Sequence, residues 1–522
     1  MQPDKENRRH PRGLYILFAT EMWERFNYYG MRAILIFFMT QALLFEKSFA
    51  SNLYGSYLSL LYLTPLIGGY IADRYWGNKR SIVAGGLLMA AGELLLFICA
   101  SLYHVKPDIS AVLFFSGLGF MATGNGFFKP NISSLVGQMY PRGDRRIDPA
   151  YTIFYMGINV GAAIGPIICG FVGNTGDPAD FKWAFLVGGI GMLISVAIQK
   201  LYHNKYVLSP DGRVLGLTPV ATVVDNSNGN LIEKKPHKAW LNPVNMTLGL
   251  LALATVFIGA MYLDSQYNYL SYLLLAATLF IGYTIFSDKT LTSEEKRRIV
   301  VLFIIAFFVV FFWGAYEQTG VSLNFFADEK TNLAITDSYS MPPSFFQSFN
   351  SIFIIIFAPL FAWFWIWLGK RQPSTPAKMG IGLILLALGY WWIAYGVSKA
   401  DTGVKVSMIW LTGMYLLHTW GELCLSPIGL SLFNKLAPHK FASLLMAVWF
   451  LGNAGGNKMA GVLGALYPGD GKDIKPTSFL GYSITSLYDF FMLFVLMAGA
   501  AGVILLLLSK KLQRMTGIEN KQ

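Results

Sequence analysis

The sequence predicts an all-α integral membrane protein with fourteen transmembrane helices, arranged as two six-helix bundles and two extra central helices. Its 522 residues are 54% hydrophobic and only 13% charged, against roughly a quarter charged in soluble domains. Apolar segments recur along the chain, each near or above the ~20 residues that a helix needs to cross a bilayer. Lysines and arginines cluster in alternate connections between these segments, which is typical of a polytopic membrane protein.

The predicted spans are separated by polar connections. They cover residues 13–45, 49–73, 79–101, 108–138, 149–175, 181–203, 241–263, 266–287, 297–327, 343–369, 377–399, 405–436, 440–467 and 480–509. Basic clusters lie at residues 5–12, 74–80, 142–146, 234–238, 296–298, 370–378, 435–440 and 510–514. The positive-inside rule places these clusters and both termini in the cytoplasm. The net charge of +12 therefore indicates topology, and nucleic acid is not expected as a partner.

The polar connection 204–240 is the clearest boundary in the chain. We expect residues 1–203 to form an N-terminal six-helix bundle, 204–240 a cytoplasmic linker, 241–287 two additional transmembrane helices, and 288–522 a C-terminal six-helix bundle. The additional pair carries almost no charge within its spans, so we expect it to be peripheral. Two bundles with a path between them would suit a transporter with alternating access.

The first span contains four ionised side chains, although charges at membrane depth are rare and usually functional. At 100° per residue, they share an arc of about 140° with two tyrosines. The six residues are Glu21, Glu24, Arg25, Tyr28, Tyr29 and Arg32. The opposite face is apolar, so this helix is expected to border lipid on one side and a polar path on the other.

Polar residues in four other spans occur as pairs four residues apart, which places each pair on one helix face. The pairs are Asn125 and Lys129, Tyr155 and Asn159, Trp313 and Glu317, and Glu422 and Ser426. Any single pair is equally compatible with a local interior contact. Their joint occurrence favours a shared central cavity.

The signs of these charges limit the classes of ligand that the cavity is expected to bind. The first bundle has a surplus of one cation, because Arg25, Arg32 and Lys129 face only two glutamates, whereas the second bundle contributes Glu317 and Glu422. A cavity with walls of opposite charge fits a zwitterion, whose carboxylate would meet the cations and whose ammonium would meet Glu422. Broad apolar contact would come from Tyr28, Tyr29, Tyr62, Tyr155, Trp313 and Trp449.

The motif ExxERFxYYG at residues 21–30 resembles the signature of the proton-dependent oligopeptide transporters of the major facilitator superfamily, in their bacterial form. Further resemblances cover nearly the whole chain. They are GNGFFKPNISSLVG from Gly124, FYMGINVGAAIGP from Phe154, FWGAYEQTGVSLNFFA from Phe312, FQSFNSIFI from Phe346 and ELCLSPIG from Glu422. The resemblance implies the major facilitator fold.

The resemblance also implies roles for matching residues. Proton coupling would involve Glu21, Glu24, Arg25, Lys129 and Glu422. The peptide site would be lined by Arg25, Tyr29, Arg32, Tyr62, Lys129, Tyr155, Asn159, Trp313, Asn350, Glu422, Ser426 and Trp449, with Asn350 and Glu422 near the peptide amino group. Lys129 with Glu422, and Arg32 with Glu317, would form gating salt bridges.

The segment GYIADRYWGNKR, residues 69–80, resembles the superfamily's loop motif between the second and third spans. A basic cytoplasmic turn is expected from topology alone, but the spacing of Asp73 and Arg74 among the glycines favours a latch between helices. We expect this latch to act in gating without contacting the ligand.

These observations predict a proton-coupled symporter that imports di- and tripeptides by alternating access. It would need no cofactor and no obligatory protein partner, and its partners would be small peptides, protons and the lipid bilayer of a bacterial inner membrane. The alternative is a proton-linked transporter of another small solute, such as a drug or nitrate. An enzyme is not expected, because HExxH, GxSxG and GxxxxGK[ST] are absent from the sequence.

Some residues depart from the family pattern or have no expected role. Many relatives carry a functional histidine in the second span, where this chain has Leu61 and Tyr62, so proton coupling would depend on carboxylates. Glu93 and Lys458 are charges within predicted spans to which the sequence assigns no role. The three cysteines lie in apolar stretches without CxxC spacing, so neither a disulfide nor a metal site is expected.

Overall fold

A computed structural model describes residues 9–141, 143–219, 221–224, 231–234, 242–399, 404–469 and 477–517. The two ends of the chain and most of the second half of the predicted linker 204–240 lie outside the described residues.

Fourteen long helices within the described residues follow the fourteen predicted spans in order, with ends that differ by several residues. They are α1 (Arg12–Phe37), α2 (Lys47–Ile71), α3 (Asn78–Leu102), α4 (Pro107–Gln138), α5 (Ile147–Gly173), α6 (Phe181–Tyr206), α7 (Pro243–Tyr267), α8 (Leu270–Phe286), α9 (Ser293–Tyr316), α11 (Phe346–Leu368), α12 (Thr375–Ser398), α13 (Met408–Leu436), α14 (Ala442–Gly464) and α15 (Leu487–Thr516). A shorter helix, α10, covers Ser322–Lys330. Single π-helical turns extend α1 over Phe38–Ala42 and α2 over Ala72–Trp76.

Nine helices in the described part of the chain are long and apolar enough to cross a membrane by length and composition. The helix α1 is not among them because Glu21, Glu24, Arg25 and Arg32 lie within it. The helix α8 is apolar but has only 17 residues. The predicted all-α membrane fold is confirmed.

Helix starts follow ordinary capping rules. Thr292 opens α9 with a capping box, in which its hydroxyl accepts a hydrogen bond from Glu295 N at 3.2 Å and the Glu295 carboxylate accepts one from Thr292 N at 2.9 Å. Ser407 and Ser486 cap α13 and α15 through their side chains. Such caps satisfy backbone donors that a helix start leaves unpaired.

Short strands occur in the connections. β1 (Ala221–Val224) pairs antiparallel with β2 (Leu231–Lys234), and β3 (Thr331–Asn332) pairs in parallel with β6 (Val406–Ser407). Two further hairpins join β4 (Ala334–Thr336) to β5 (Tyr339–Ser340) and β7 (Thr477–Phe479) to β8 (Tyr482–Ile484).

The chain divides into two compact units. Unit 1 contains Met1–Arg32 and Leu63–Tyr262. Here α3 packs against α4 and α6, and the α3–α4 contact is close because a Cβ at Gly85 would lie only 2.5 Å from Gly124 O. Trp76, Phe127 and Leu250 belong to one buried cluster. The helix α7 therefore contributes to the apolar core of this unit.

Unit 2 contains Ala33–Tyr62 and Leu263–Gln522. Its helices α12, α13 and α15 pack together, and α9 packs against α14. The helix α2 approaches α14 closely, since a Cβ at Gly55 would lie 2.7 Å from Gly461 Cα. The unit boundaries fall within α1, α2 and α7. The two units are defined by contacts between residues, whereas the predicted grouping into six, two and six helices is defined by helix order. The predicted grouping therefore stays a prediction.

Candidate functional site

Glycines allow the backbones of α1 and α5 to approach closely. This contact sets the orientation of the polar face of α1 relative to α5. A Cβ at Gly161 would lie 2.2 Å from Met22 O, and one at Gly165 would lie 2.5 Å from Phe26 O. Gly30, the last residue of the ExxERFxYYG motif, faces Gly165 O in the same contact. Small residues permit this approach of helix backbones within a membrane.

The carboxylates of Glu21 and Glu24 form a buried cluster with Arg25. Arg25 Nε lies 3.0 Å from Glu21 Oε1 and 2.5 Å from Glu24 Oε2, and all three side chains are at most 3% exposed. Asn125 on α4 donates a hydrogen bond to Glu24 Oε1 at 3.3 Å. Within the described residues, Arg25 Nη2 and Glu21 Oε2 have no hydrogen-bond partner. One donor, Arg25 Nη2, and one acceptor, Glu21 Oε2, therefore make no hydrogen bond to a described residue.

Other predicted residues of unit 1 lie on the same helices or on α5. The Arg32 guanidinium is buried and lies 6.0 Å from the centre of the Tyr29 ring. Lys129, one turn after Asn125 on α4, is exposed. On α5, Asn159 is buried and donates a hydrogen bond to Tyr155 O at 2.9 Å, whereas the Tyr155 side chain is 44% exposed.

A second site in unit 2 is centred on Glu422 of α13. The Tyr316 hydroxyl donates a hydrogen bond to Glu422 Oε2 at 2.7 Å, and Asn350 Nδ2 donates one to the same oxygen at 2.9 Å. Asn350 Nδ2 also donates to Thr419 Oγ1 at 3.1 Å. The structure therefore brings Asn350 and Glu422 together, as the sequence resemblance implied.

The remaining predicted residues of unit 2 surround or extend this site. Trp313 is buried, and its ring lies 5.2 Å from that of Tyr316. Glu317 directly follows α9 and is 3% exposed. Trp449 is buried with its ring 5.1 Å from that of Phe433. Tyr62 and Ser426 are both half-buried.

The loop motif is held to neighbouring segments by its glycine and asparagine. Gly77 has a φ of +76°, and a Cβ there would lie 2.4 Å from Leu217 O, so only glycine fits. Asn78 Nδ2 donates a hydrogen bond to Asn131 Oδ1 at 3.1 Å. Asp73 and Arg74 are both exposed and form no salt bridge with any described residue in this conformation. Their gating role stays a prediction.

In the described ranges, no three residues among His, Cys, Asp and Glu lie close enough to hold a metal ion. The cysteines Cys99, Cys169 and Cys424 are buried and free.

Several contacts of these buried charges could not be predicted. Tyr316 and Thr419 were missed as partners of Glu422 and Asn350, although Tyr316 adjoins the recognised Trp313 and Glu317 pair. Glu93 accepts a hydrogen bond from Asn27 at 2.6 Å, and Lys458 lies 2.5 Å from Asp264. The pairs of Lys129 with Glu422 and of Arg32 with Glu317 have their members in different compact units, and they stay predictions.

A mostly helical membrane chain whose spans bury ionised side chains in polar clusters belongs to the class of helical membrane transport proteins. A sequence profile described as the POT family matches residues 79–469. The chain belongs to this family, the proton-dependent oligopeptide transporters to which its sequence motifs pointed.

Individual relatives are similar along most of the chain. A protein of Yersinia enterocolitica subsp. palearctica named peptide transporter YePEPT is 34% identical over 488 residues, covering 91% of each chain. A di-/tripeptide transporter of Lactococcus lactis subsp. cremoris is 31% identical over 459 residues, covering 85% of this chain and 87% of its own. The crystal structure of a POT family transporter with a thioalcohol-conjugated peptide has a TM-score of 0.79 and 31% identity, covering 98% of each chain. The predicted major facilitator type of fold is confirmed.

Proposed function

We propose that this protein is a proton-coupled symporter that imports di- and tripeptides by alternating access. The observation that carries the proposal is the environment of Glu422. Its two protein donors in unit 2, Tyr316 and Asn350, are neutral, so they orient the carboxylate without neutralising it. A carboxylate held in this way is suited to bind a peptide ammonium group or a proton.

The names of relatives support peptides as the substrate class, because they include a peptide transporter and a di-/tripeptide transporter. The charges of unit 1 supply the complementary half of the argument. Arg25, Arg32 and Lys129 exceed Glu21 and Glu24 by one positive charge. A peptide carboxylate would be attracted by this surplus.

Proton coupling would depend on Glu21 and Glu24. Protonation of either carboxylate removes its attraction for Arg25, which lies 3.0 Å from one and 2.5 Å from the other. The guanidinium is then available for the substrate, and binding becomes linked to protonation. A proton-motive force of about 150 mV supplies roughly 3.5 kcal/mol per proton, enough for about 300-fold accumulation of a neutral zwitterion.

The wider setting follows from the same proposal. The two pairs expected across the bundles, Lys129 with Glu422 and Arg32 with Glu317, would open and close in alternation as gates. The protein would reside in a bacterial inner membrane with cytoplasmic termini. It would use the proton gradient without a cofactor or an obligatory protein partner, and it would release its substrate chemically unchanged.

The test is uptake of labelled dialanine by purified protein in liposomes under an imposed pH gradient. Dialanine should accumulate, a tripeptide should compete, and free alanine should compete poorly. Glu422→Gln should lower dialanine uptake more than about tenfold, because the ammonium loses a charged partner, but should affect N-acetyl-dialanine much less. Glu46→Gln, an exposed glutamate, is the matched control and should transport normally.

The alternative substrates are tested in the same vesicles. Gradient-driven uptake of nitrate or of a non-peptide drug, without competition by dialanine, would overturn the peptide assignment. Equal loss of dialanine and N-acetyl-dialanine uptake in the Glu422→Gln variant would contradict the role given to Glu422.

A further inference from the structure

Three buried polar side chains from three helices meet in unit 2. Asp264 lies near the end of α7, Lys458 in α14 and Ser56 in α2. The three residues are 2%, 2% and 0% exposed, respectively. We call these three residues the Asp264 cluster. From the sequence, Lys458 had no expected role, and Asp264 fell in the connection after the seventh span.

Each member of the Asp264 cluster contacts the other two at short distance. Lys458 Nζ lies 2.5 Å from Asp264 Oδ2 and donates a hydrogen bond to Ser56 Oγ at 2.9 Å. The Ser56 hydroxyl lies 2.5 Å from Asp264 Oδ2. The other carboxylate oxygen, Asp264 Oδ1, accepts a hydrogen bond from Leu270 N at 2.7 Å, at the start of α8. Asp264 therefore connects both helices of the extra pair to α2 and α14.

A buried ion pair of this kind is poorly explained by stability alone. Apolar side chains of similar volume often stabilise a protein as well or better, whereas buried charges can specify which elements are neighbours. Charged residues within membrane helices are rare and usually functional. These general observations favour a positioning role for the Asp264 cluster.

The cluster lies where two helices with predicted transport residues touch. Ser56 directly follows Gly55, where a Cβ would lie 2.7 Å from Gly461 Cα on α14. The helix α2 also carries Tyr62, and α14 also carries Trp449. Rocking of helices in alternating access requires such contacts to form and break.

We propose that Asp264, Lys458 and Ser56 are positioning residues of the transport cycle, through which the extra helix pair holds α2 against α14 in this conformation. The hold is released when the transporter changes conformation. This inference rests on the proposed transport function. It gives the extra pair α7 and α8 a part in transport that neither its apolar sequence nor its exposed surface predicts.

The three members have separable effects. Removal of the Ser56 hydroxyl leaves the ion pair intact and disconnects only α2, so α2 should separate from α14 more often. Neutralisation of Asp264 leaves the Lys458 ammonium without its anionic partner, which perturbs α14 as well. Neutralisation of both Asp264 and Lys458 leaves no unpaired charge. It should therefore restore part of the transport rate that neutralisation of Asp264 alone removes.

The first test measures the separation of α2 from α14 directly. Ser51, one turn before Gly55, is 0% exposed, and its carbonyl oxygen would lie 2.6 Å from a Cβ at Gly461. In purified Ser51→Cys protein, Ser56→Ala should raise the rate of maleimide labelling about fivefold or more, as expected for a shift of about 1 kcal/mol in a two-state equilibrium. Thr255→Val, on the exposed face of α7, should label at the parent rate. Unchanged labelling in Ser56→Ala would overturn the proposal.

The second test distinguishes an effect on the transport rate from an effect on the yield of folded protein. Asp264→Asn should lower the maximal rate of dialanine uptake per folded transporter about tenfold and change KM less than about twofold. The double variant Asp264→Asn with Lys458→Met should recover at least half of the lost rate. A loss confined to the yield of folded protein, with normal rates per molecule, would overturn the positioning role. Labelling that responds to Ser56→Ala while dialanine is never transported would instead reject the proposed substrate and leave the cluster's role standing.

Discussion

The Glu422 carboxylate accepts its described hydrogen bonds at one of its two oxygens. Tyr316 and Asn350 come from different helices, yet both donate to Oε2. No described residue of unit 2 donates a hydrogen bond to Oε1. Under the proposed function, Oε1 would meet the peptide ammonium group, with Tyr316 and Asn350 fixing the plane of the carboxylate.

Removal of the Tyr316 hydroxyl is predicted to weaken transport without abolishing it. Hydrogen bonds to charged groups contribute about 1.5–3 kcal/mol, so Tyr316→Phe should lower kcat/KM for dialanine by about tenfold or more. Initial rates in proteoliposomes measure this effect. Tyr395→Phe, at a ring that is 44% exposed on α12, is the control. Equal kcat/KM in Tyr316→Phe and the parent protein would show that the hydrogen bond is dispensable.

Glu93 has a buried amide partner but an incomplete set of hydrogen bonds. Asn27 Nδ2 donates to Glu93 Oε1 at 2.6 Å, and both residues are 0% exposed. Neither Glu93 Oε2 nor Asn27 Oδ1 has a hydrogen-bond partner among the described residues. A buried polar atom without a partner is destabilising by about 1–3 kcal/mol.

Glu93→Gln is predicted to stabilise the protein by about 1 kcal/mol, because the new amide can donate to Asn27 Oδ1 while its oxygen keeps the existing bond. Glu93→Leu should destabilise it by about 1–3 kcal/mol, because Asn27 then loses its partner. Thermal unfolding in detergent distinguishes the two. A lower midpoint and lost uptake in Glu93→Gln would show that the charge itself is needed.

The sequence predicted local clusters better than distant ones. Glu21, Glu24 and Arg25 lie within five consecutive residues of one helix, so helix geometry alone brings them together. Asp264 and Lys458 are 194 residues apart, and no periodicity connects them. Asp264 was also assigned to a connection, because the apolar pattern of its span ends one residue earlier.

Long apolar helices were predictable at the scale of elements because span length is set by the membrane. The short strands were not, since segments of two to four residues carry no measurable alternation of apolar and polar residues. The π-helical turn at Phe38–Ala42 likewise has no compositional signal, and the predicted first span simply continues through it to residue 45.

The close packing of α2 on α14 makes Gly55 sensitive to a single added methyl group. A Cβ there would lie 2.7 Å from Gly461 Cα and 2.9 Å from Asn457 O. Gly55→Ala is predicted to destabilise the protein by about 1–3 kcal/mol through overpacking. Gly259→Ala on α7, where nothing lies within 4 Å of the new Cβ, should stabilise the helix by about 0.5–1 kcal/mol. Equal unfolding midpoints for the two variants would contradict the α2–α14 contact.

The connection after α8 is tied to the connection before α14 by an exposed ion pair. Lys440 Nζ contacts Asp288 Oδ2. This contact, together with donors from Thr290, holds the pKa of the Asp288 carboxyl well below its usual range. A lowered pKa means that the stabilisation is complete above the pKa of about 4 in the unfolded chain and is lost as the pH falls below it.

The unfolding midpoint of Asp288→Asn should therefore lie below that of the parent protein between pH 5 and 7, and the difference should shrink progressively as the pH falls below about 4. Asp337→Asn, an exposed aspartate in the turn between β4 and β5, is the control and should show no such convergence. A difference that persists unchanged at pH 3 would exclude the ion pair as its cause.

At the scale of the whole molecule, the order of helices could be predicted but the compact units could not. Unit 2 takes residues 33–62 from the beginning of the chain, and unit 1 extends to Tyr262 within α7. These boundaries result from side-chain contacts between distant segments. Hydropathy describes each segment by itself and contains no information about such contacts.

Proton coupling is a property of the complete transport cycle and can be separated from substrate exchange. Glu21→Gln and Glu24→Gln are each predicted to retain exchange of dialanine across the membrane within about threefold, because exchange needs no net proton movement. Accumulation against a gradient, which could reach about 300-fold in the parent protein, should fall to about onefold. Counterflow and gradient-driven uptake in the same liposomes measure the two. Undiminished uphill uptake in both variants would exclude these glutamates as coupling residues.

The Asp264 cluster also constrains the order in which the chain can mature. Ser56 precedes Lys458 by 402 residues, and Asp264 precedes it by 194. At about 5–20 residues per second, the ribosome adds Lys458 roughly 20–80 s after Ser56 and roughly 10–40 s after Asp264. During that interval the Asp264 carboxylate has no basic partner, so the nascent α7 must keep this end in water or protonated. The ion pair between Asp264 and Lys458 therefore forms only after α14 has been synthesised, near the end of translation.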